Sequence, residues 1–498
     1  MTRSNSHWRS YGLLALWLSL AALCSFLSSP KWTIPLAAWL GVVFLVRFVR
    51  QVSPLQGVIW TSLASIVVTL SPAFQGVFPA PAIEFVITMV IASVISTLPY
   101  LADRLISPKI RGLASTLVLP VAATTLDYLS SFNSSFGTFP SIAYTQFDNL
   151  ALMQVTSLAG IWPITFLISW FGTVVNFVWE DHPAKLQLRV VTVYASIVVP
   201  VFLFGSWRLA GTADGDSSVR AAAIATSTLS ILETTYEVDS GEAVSIPLDV
   251  AQNSPFVQRV LSSSQNFYAD SQAERYAPVR AVIAEINDEL FTLAEQEAQA
   301  GAQIISWSEA NAFVFAANEE AFVARAQNLA QTYGVYLMMG ILTYTEDNTR
   351  ENKIIAVTPR GEVAFEYLKS KLAPGETSVQ GTGVIPILDT EFGRVASTIC
   401  WDMDFPSFIR QAGRQGVDIM LAPSGDWQAI SPWHSRVAMV RAIENGFSLL
   451  RPVRHGLLVA SDWRGASLGQ VNFFNTPQVG EAVLVSNIPT KGVRTLYP

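Results

Sequence analysis

Three short segments in the C-terminal half of the chain place a reactive side chain at or just after an apolar run. SWSEA ends such a run near Glu309, YLKSKLAPGE carries Lys369 and Lys371, and GRVASTIC ends in Cys400. A cysteine nucleophile needs a base to take its proton and a cation or N–H groups to stabilise a developing oxyanion. A glutamate, a lysine and a cysteine supply one candidate for each role.

Each of these residues also has a purely structural interpretation. A single cysteine at the end of an apolar strand is most often a small buried hydrophobe. A glutamate after a strand commonly belongs to the first turn of a helix, and a lysine in a polar loop is commonly solvated. The spacing alone therefore leaves the Glu309–Lys369–Cys400 set a hypothesis.

The segments that carry these residues alternate between strand and helix patterns. Seven apolar runs are typical of strands buried on both faces, namely SVRAAAIATS, AQIISWSEA, YGVYLMMGILTY, NKIIAVTP, GRVASTIC, GVDIMLAPSG and HGLLVASD. Amphipathic spacing predicts helices between them, over 276–299, 318–333 and 433–447. The stretch 236–275 is polar without periodicity and predicts a long surface loop. The alternation predicts one α/β domain over 211–498, with catalytic side chains at strand ends.

The composition of the N-terminal half is that of a membrane domain. The whole chain is 51% hydrophobic and 14% charged, whereas soluble proteins carry about a quarter charged residues. Residues 1–210 carry a net charge of +5 and residues 211–498 carry −12. The overall charge of −7 argues against a nucleic-acid partner. Two cysteines and four histidines exclude a disulfide framework and leave little material for a zinc site.

Seven apolar stretches in residues 1–210 have about the length needed to cross a bilayer. They lie near 11–29, 32–49, 57–76, 82–102, 112–131, 151–179 and 187–207. Nine Lys and Arg residues lie at the N-terminus and in or at the edges of alternate loops, against Lys31 alone on the other side. The positive-inside rule then predicts a cytoplasmic N-terminus and places everything after Arg208 outside.

Three further side chains in this half attract a functional interpretation. Asp127 and Glu84 are the ionisable residues nearest to span interiors, where carboxylates serve proton-coupled transporters. Both lie close enough to span ends to be interfacial, which we favour. Cys24 follows Leu23 where a lipobox needs a small residue, so we interpret Cys24 as an ordinary helix residue.

The ordered set WSEA, YLKSKLAPGE and ICWDMDFP resembles the nitrilase superfamily, whose Glu–Lys–Cys triad lies in an αββα sandwich. The multi-span N-terminal half narrows the resemblance to the apolipoprotein N-acyltransferase branch. The segments at 136–170 and 422–456 are similar to that branch as well. The resemblance implies that Glu309 is the general base, that Lys369 stabilises the tetrahedral intermediate and that Cys400 is the acyl-accepting nucleophile. It also implies supporting roles for the site residues Glu376, Trp401 and Asp402.

The resemblance further implies a ping-pong reaction without cofactor or metal. Cys400 would take an acyl chain from a membrane phospholipid as a thioester, and the α-amino group of the diacylglyceryl-cysteine of an apolipoprotein would then attack it. The implied location is the inner membrane of a bacterium, with the catalytic domain on the periplasmic face and a monomeric chain. The family continues into a last transmembrane helix, whereas the sequence stops at VRTLYP, so the chain is either a fragment or a variant with its C-terminus outside.

Two other functions stay open at this point. A membrane-anchored amidase of the nitrilase type would use the same triad with water as the acceptor. A degenerate homologue would bind lipid or a partner without catalysis. Transfer needs an apolar cleft that excludes water, and the aromatic stretches 136–144 and 426–433 are candidates to line it or, equally, to form an interfacial belt.

Overall fold

A computed structural model of the protein describes residues 2–74, 76–77, 83–210, 217–249, 254–345, 347, 349–478 and 480–498. The chain forms two compact units. The helical unit comprises Met1–Ser134 and Pro140–Gly211, and the α/β unit comprises Ser135–Phe139 and Thr212–Pro498. The short segment Ser135–Phe139 therefore packs with the α/β unit, although helices flank it in the sequence.

The described part of the helical unit is built from short and long apolar helices. They are α1 (Thr2–Leu27), α2 (Pro35–Gln51), α3 (Pro54–Phe74), α4 (Ile83–Ile95), α5 (Leu98–Ile106), α6 (Val118–Asn133), α7 (Leu150–Met153), α8 (Thr156–Ala159), α9 (Trp162–Trp179) and α10 (Ala184–Ala210). Pro35 and Pro54 stand at first helical positions, where the missing N–H costs nothing.

The helices fall on the seven predicted apolar stretches, with two stretches interrupted. The stretch 82–102 is divided between α4 and α5, where Pro99 follows the break. The stretch 151–179 is divided among α7, α8 and α9, and Gly160 ends α8 at a φ of 70°. Proline disfavours a helical residue before it, and glycine readily adopts a positive φ.

Several helical segments are long and apolar enough to cross a membrane. They are Val86–Lys109, Gly112–Phe132, Trp162–Trp179 and Ala184–Ala210. Large apolar side chains on their surfaces, such as Leu203 and Trp207, are well exposed. Such exposure is costly in water and favourable in lipid, so the chain is a membrane protein. The seven crossings and the orientation of the N-terminus stay predictions.

The structure describes the surroundings of two of the three side chains that the sequence singled out in this unit, Asp127 and Cys24. The carboxylate of Asp127 accepts hydrogen bonds from Ser141 Oγ at 2.9 Å and Thr165 Oγ1 at 2.7 Å. Cys24 is buried within α1. The side chain of Glu84 lies outside the described part of the chain. Asp127 is thus a satisfied acceptor inside the helical unit.

The α/β unit contains strands and helices in alternation, as the sequence predicts. The strands are β1 (Ser218–Thr226), β2 (Ile304–Trp307), β3 (Ala312–Phe315), β4 (Tyr336–Tyr344), β5 (Arg350–Val357), β6 (Val363–Leu368), β7 (Ile387–Thr390), β8 (Gly393–Ser397), β9 (Ile419–Leu421), β10 (Ser424–Gly425), β11 (Ser448–Arg451), β12 (Val453–Arg454), β13 (Leu457–Ser461), β14 (Ser467–Asn472) and β15 (Glu481–Pro489). The α-helices are α11 (Leu229–Ser240), α12 (Pro255–Ala269), α13 (Ala277–Gln299), α14 (Ala316–Tyr333), α15 (Pro406–Gln415) and α16 (Trp433–Asn445).

The strands form two mixed sheets packed against each other, apart from β10 and β12, which pair in a separate two-stranded sheet. The first has the order β15-β1-β2-β4-β5-β6, with β3 also paired to β4, and the second has the order β14-β13-β11-β9-β8-β7. Their centres are parallel, through β1-β2-β4 and β8-β9-β11. Helices α13 and α14 contact the first sheet, α16 contacts the second, and β11 contacts both β1 and β15. The layers are helix, sheet, sheet, helix, so the predicted αββα sandwich is confirmed.

The apolar runs of the first sheet are buried because helices pack on the sheet and form a core with it. Val279, Ile283, Ile286 and Leu290 recur at helical spacing on α13 and are buried against the sheet. Trp307 at the end of β2 is fully buried among them. Burying each such side chain stabilises the fold by about 1.5–3 kcal/mol, which fixes the strand ends rigidly.

The prediction of a long loop over 236–275 is wrong. The stretch contains the end of α11 and all of α12. The hydroxyl of Ser254 accepts a hydrogen bond from Val257 N and caps α12, as serine commonly does at a helix start. Val257 and Val260 are buried against Ile246 in a small apolar cluster. The apolar spacing is short and set among serines, so its helical period is weak in the sequence.

Candidate active site

The structure brings Glu309, Lys369 and Cys400 to one cavity of the α/β unit. Glu309 follows β2, Lys369 follows β6 and Cys400 follows β8. All three line a cavity of about 340 Å³, and so do Glu376 and Trp401. The sequence-predicted residues thus share a site, although their catalytic roles stay predictions.

Lys369 lies between two carboxylates at the centre of the site. Its ammonium donates to Glu309 Oε1 and to Glu376 Oε2, each at 2.7 Å. The second oxygen of Glu309 accepts from the backbone N–H of Gly425 at 2.7 Å. Lys369 and Glu309 are almost fully buried, so each charge is compensated by its partners rather than by water.

Asn352 joins the two carboxylates and was missed by the sequence analysis. Its amide donates to Glu309 Oε1 at 2.8 Å and to Glu376 Oε1 at 2.9 Å. Strand register places it there, because Asn352 pairs with Leu342 on β4 and its carbonyl accepts from Lys369 N at 2.9 Å. The available signal was a polar residue at the start of the predicted strand NKIIAVTP.

The pKa values of the ion pair show that both charges persist at neutral pH. Burial would raise the pKa of Glu309, but the charge and hydrogen bond of Lys369, with Arg454 and Asn352, lower it to about 2. Burial would lower the pKa of Lys369, but Glu309, Cys400 and Glu376 together raise it well above its ordinary value. The resting site therefore contains a carboxylate and an ammonium.

Cys400 lies at a strained turn that follows β8. Its φ is 48°, in the left-handed region that non-glycine residues rarely occupy. Its N–H donates to the Pro423 carbonyl at 2.8 Å, and its sulfur lies 3.9 Å from the Gly425 carbonyl oxygen. A 3₁₀ turn over Cys400–Asp404 follows. Strained residues of this kind are concentrated at functional sites, because the surroundings must hold them in place.

The thiol of Cys400 is protonated in the resting site. Burial and the charge of Glu309 raise the pKa of Cys400 well above its ordinary value, while Lys369 opposes them. Cys400 is the one cysteine of the α/β unit. A nucleophile in this state needs its proton removed as it attacks. Glu309, whose charge acts on the thiol, is the carboxylate that the sequence predicts for this role.

Asp402 lies behind the cavity and holds its two walls together. Its carboxylate accepts from Tyr367 Oη at 2.6 Å, from Ile399 N at 2.9 Å and from Lys371 N at 2.7 Å. Burial raises the pKa of Asp402 to about 6 despite these donors. Asp402 connects the turn before Cys400 to the loop after Lys369. We therefore interpret it as a residue that positions these two segments and does not itself contact the reacting group.

Trp401 lines the cavity and is backed by the segment Ser135–Phe139. Its indole N–H donates to the Ser135 carbonyl at 2.9 Å, and its ring stacks on Phe139 at 5.4 Å between centroids. Phe136 meets its edge at 6.3 Å. From the aromatic stretches proposed to line a cleft, Trp427 and Ile430 line the cavity, whereas Phe136 and Phe139 support Trp401 from behind.

A second buried charged cluster beside Cys400 was also missed. His434 donates from Nδ1 to Asp426 at 2.7 Å and from Nε2 to Asp404 at 2.8 Å. Burial would lower the pKa of His434, but the two carboxylates raise it to about 9. Arg451 donates to Asp426 at 3.1 Å. The sequence signal for this cluster was an ionisable residue beside tryptophan in each of the segments SGDW and PWHS.

This cluster contains the only group of potential metal ligands found among the described residues. Ligand atoms of Cys400, Asp426 and His434 lie within 4.8 Å of one another. Both imidazole nitrogens are occupied by carboxylates, and Arg451 adds a positive charge beside them. A cation would have to displace these partners, so the residues do not fit a metal centre.

Apolar side chains also line the cavity. They are Ile231 and Leu232 from α11, Leu261 from α12, and Phe313 and Leu342 from the first sheet. Helix α12, in the stretch that predicted a loop, thus contributes to the site. The lining combines charged side chains with apolar ones that suit a hydrocarbon chain.

The sandwich fold and the cysteine cavity define a carbon–nitrogen hydrolase domain of the nitrilase superfamily. The family model for carbon-nitrogen hydrolase matches residues 246–477. A second family model, for the apolipoprotein N-acyltransferase N-terminal domain, matches residues 21–174. The two matches show that the chain is similar to the apolipoprotein N-acyltransferases and that its α/β domain is of the carbon–nitrogen hydrolase type.

Individual relatives resemble the chain over part of its length. An apolipoprotein N-acyltransferase of Vibrio parahaemolyticus is 28% identical over 223 residues, covering 38% of this chain and 43% of the relative. One from Geobacter metallireducens is 22% identical over 405 residues, covering 75% of this chain and 68% of the relative. The crystal structure of an amidase from Nesterenkonia sp. aligns with 42% of this chain and 86% of its own, at 20% identity and a TM-score of 0.37. The chain thus spans less than half of the Vibrio relative.

Proposed function

We propose that the protein transfers a fatty acyl chain from a membrane phospholipid, through a thioester on Cys400, to the N-terminal amino group of an apolipoprotein. The observation that carries the proposal is the mixed lining of the cavity. Cys400, Lys369 and Glu309 line it together with apolar side chains from α11 and α12. An ester with a long hydrocarbon chain matches both kinds of side chain.

In the first half-reaction the Cys400 sulfur attacks the ester carbonyl carbon while its proton passes to Glu309. The Lys369 ammonium stabilises the negative charge that develops on the carbonyl oxygen. The C–O bond of the ester then breaks, and the lysolipid oxygen takes the proton from Glu309. The product is an acyl thioester on Cys400, with Glu309 again a carboxylate.

In the second half-reaction the α-amino nitrogen of the apolipoprotein attacks the thioester carbonyl carbon. Glu309 accepts a proton from that nitrogen, the C–S bond breaks, and the proton returns to the sulfur. A thioester is a competent donor to an amine, and cysteine is the most nucleophilic ordinary side chain at neutral pH. No cofactor or metal ion takes part in these steps.

The apolar part of the lining favours transfer over hydrolysis by an amidase of the same superfamily. Hydrolysis needs water beside the acyl-enzyme, whereas apolar lining side chains such as Leu232 and Leu261 favour a hydrocarbon chain there. The buried Lys369 ion pairs argue against a degenerate binding protein, because well-packed apolar residues of similar volume are often at least as stabilising as a buried ion pair. Transfer from lipid also agrees with the membrane helices of the N-terminal half.

We further propose that the α/β unit faces the periplasm of a bacterium and that the chain acts as a monomer. The bias of positive charges between the apolar stretches supports the orientation. Both substrates are then held in the outer leaflet of the inner membrane, which raises their effective concentration without tight binding.

The test begins with phospholipid alone. We expect purified protein to gain the mass of one acyl chain on Cys400, and hydroxylamine to remove it. Cys400→Ser is the control that abolishes the hydroxylamine-labile adduct. Addition of a diacylated lipopeptide is expected to discharge the thioester and yield a triacylated product. Release of free fatty acid with no triacylated product would identify a hydrolase, and no adduct on reduced Cys400 would refute the phospholipid donor.

A further inference from the structure

The positive charges that line the cavity are not all compensated. Lys369 is bound to two carboxylates, and so is His434. Arg350 and Arg454 line the same cavity. Within the described ranges, neither guanidinium has a carboxylate oxygen within 4.0 Å. The cavity therefore presents two arginines whose charge is available to an anion.

Arg454 is held beside the nucleophile by neutral partners. Its Nε donates to the carbonyl oxygen of Glu309 at 2.8 Å, and Nη1 lies 3.4 Å from Thr228 Oγ1. Nη2 has no hydrogen-bond partner in the part of the chain that the structure describes. A side chain at Gly425 would meet this guanidinium at 3.0 Å, while the Gly425 carbonyl lies 3.9 Å from the Cys400 sulfur. Arg454 and Cys400 thus flank the same glycine.

Arg350 approaches the cavity from the first sheet. It begins β5 two residues before Asn352, and alternate residues of a strand point to the same face. Its guanidinium packs over the ring of Tyr268 at 4.7 Å and donates to Thr377 Oγ1. Tyr268 lines the cavity as well. The aromatic ring orients the guanidinium without neutralising it.

We propose that Arg350 and Arg454 form a binding site for the phosphodiester group of the acyl donor. Arginine presents planar donors that match phosphate oxygens. The apolar lining side chains of α11 and α12 receive the hydrocarbon chain, so the two arginines select an amphiphile with an anionic head. The inference rests on the proposed function and names the part of the donor that the cavity recognises.

The experiment compares two acyl donors on full-length protein in detergent. One is phosphatidylglycerol, and the other is 4-nitrophenyl butyrate, which carries no phosphate. The rate of acylation of Cys400 is measured for wild type, Arg350→Gln, Arg454→Gln and Arg454→Lys. Arg325→Gln is the matched control, since Arg325 lies on the surface of α14 and pairs with Asp288 outside the cavity.

We expect each glutamine variant to lower the ratio of phospholipid to butyrate rates about 10-fold or more, as the loss of a charge-assisted hydrogen bond implies. Arg454→Lys keeps the charge and recovers part of the ratio, and Arg325→Gln keeps the wild-type ratio. An unchanged ratio in both glutamine variants would overturn the proposal. So would an equal fall with both donors, because Arg454 would then act through Glu309 alone.

Inhibition of the butyrate reaction identifies the source of the phosphate. We expect glycerophosphoglycerol to inhibit wild type and to inhibit the glutamine variants about 10-fold more weakly. Inhibition by inorganic phosphate alone would indicate a site for free phosphate and overturn the lipid assignment. If butyrate acylates Cys400 and phospholipid does not, the proposed donor fails, while inhibition by the diester still supports the anion site.

Discussion

Replacement of Lys369 by methionine tests the electrostatic account of the site. The change keeps the length of the side chain and removes its charge. Glu309 and Glu376 then remain side by side, both hydrogen-bonded to Asn352, without the cation that joins them. Because Lys369 is buried, water does not replace it, and breaking a buried ion pair by removing one partner is strongly destabilising.

The magnitude follows from the pKa of Glu309. The folded-state value of about 2 lies below the ordinary 4.5, which corresponds to about 3 kcal/mol of stabilisation at neutral pH. A lowered pKa stabilises the fold above pH 4.5, and the stabilisation is lost as the pH falls from 4.5 to 2. In Lys369→Met one carboxylate has a raised pKa, so the variant gains stability as the pH falls from 7 towards 5.

The assay is thermal unfolding in detergent at pH 7 and pH 5, together with thioester formation. A loss of about 3 kcal/mol predicts a Tm lower by roughly 6–12 °C at pH 7, a smaller deficit at pH 5 and no thioester. Lys353→Met is the matched control. Lys353 is buried and donates to Glu319 at 2.8 Å and Glu351 at 2.9 Å, outside the cavity that holds Cys400.

Lys353→Met is expected to lose less stability than Lys369→Met, because the carboxylate partners of Lys353 are more exposed. It is expected to form the thioester normally. Two results would refute the reasoning. One is a Lys369→Met variant as stable as wild type at both pH values. The other is a loss of thioester formation in Lys353→Met equal to that in Lys369→Met, because buried charge in general would then matter rather than this site.

Three more substitutions probe separate parts of the site. Asp402→Asn is expected to slow acylation of Cys400 at least about 10-fold, because an amide cannot accept from all three donors that the carboxylate holds; a rate within two-fold of wild type would contradict the positioning role. In wild type, the raised pKa of His434 stabilises the fold below pH 6.5, and this is lost as the pH rises through about 9. The Tm should therefore fall between pH 6.5 and 9 in wild type and stay flatter in His434→Gln, and equal slopes would exclude the histidine as the cause. Leu261→Asp is expected to slow acylation by a long-chain phospholipid about 10-fold more than acylation by 4-nitrophenyl butyrate, and an equal effect on both donors would argue against binding of the acyl chain at Leu261.

The order of the reactive residues and the pattern of apolar runs could be predicted from the sequence, because both are properties of short segments. Runs such as SVRAAAIATS and YGVYLMMGILTY have no polar face, so they fit strands buried on both sides. The α/β class follows from such runs, while the αββα sandwich and the set of site residues were implied by the family resemblance of the motifs at their ends. The helix over 255–269 was missed because serines interrupt a short apolar period.

The partners of the reactive residues depended on the tertiary structure. Asn352 reaches Glu309 through strand register, and Arg454 reaches the carbonyl of Glu309 across 145 residues of sequence. Trp401 binds Ser135 across 266 residues. No local period encodes such meetings, because they depend on how segments that are distant in the sequence pack together.

The sequence by itself determined which side chains are candidates for the chemistry and which half of the chain favours lipid, since residue type and hydropathy are properties of short segments. Only the tertiary structure decided the protonation of those side chains and the combination of charged and apolar side chains that lines the cavity. A pKa depends on burial and on charges a few ångströms away, and both are set by how distant segments pack.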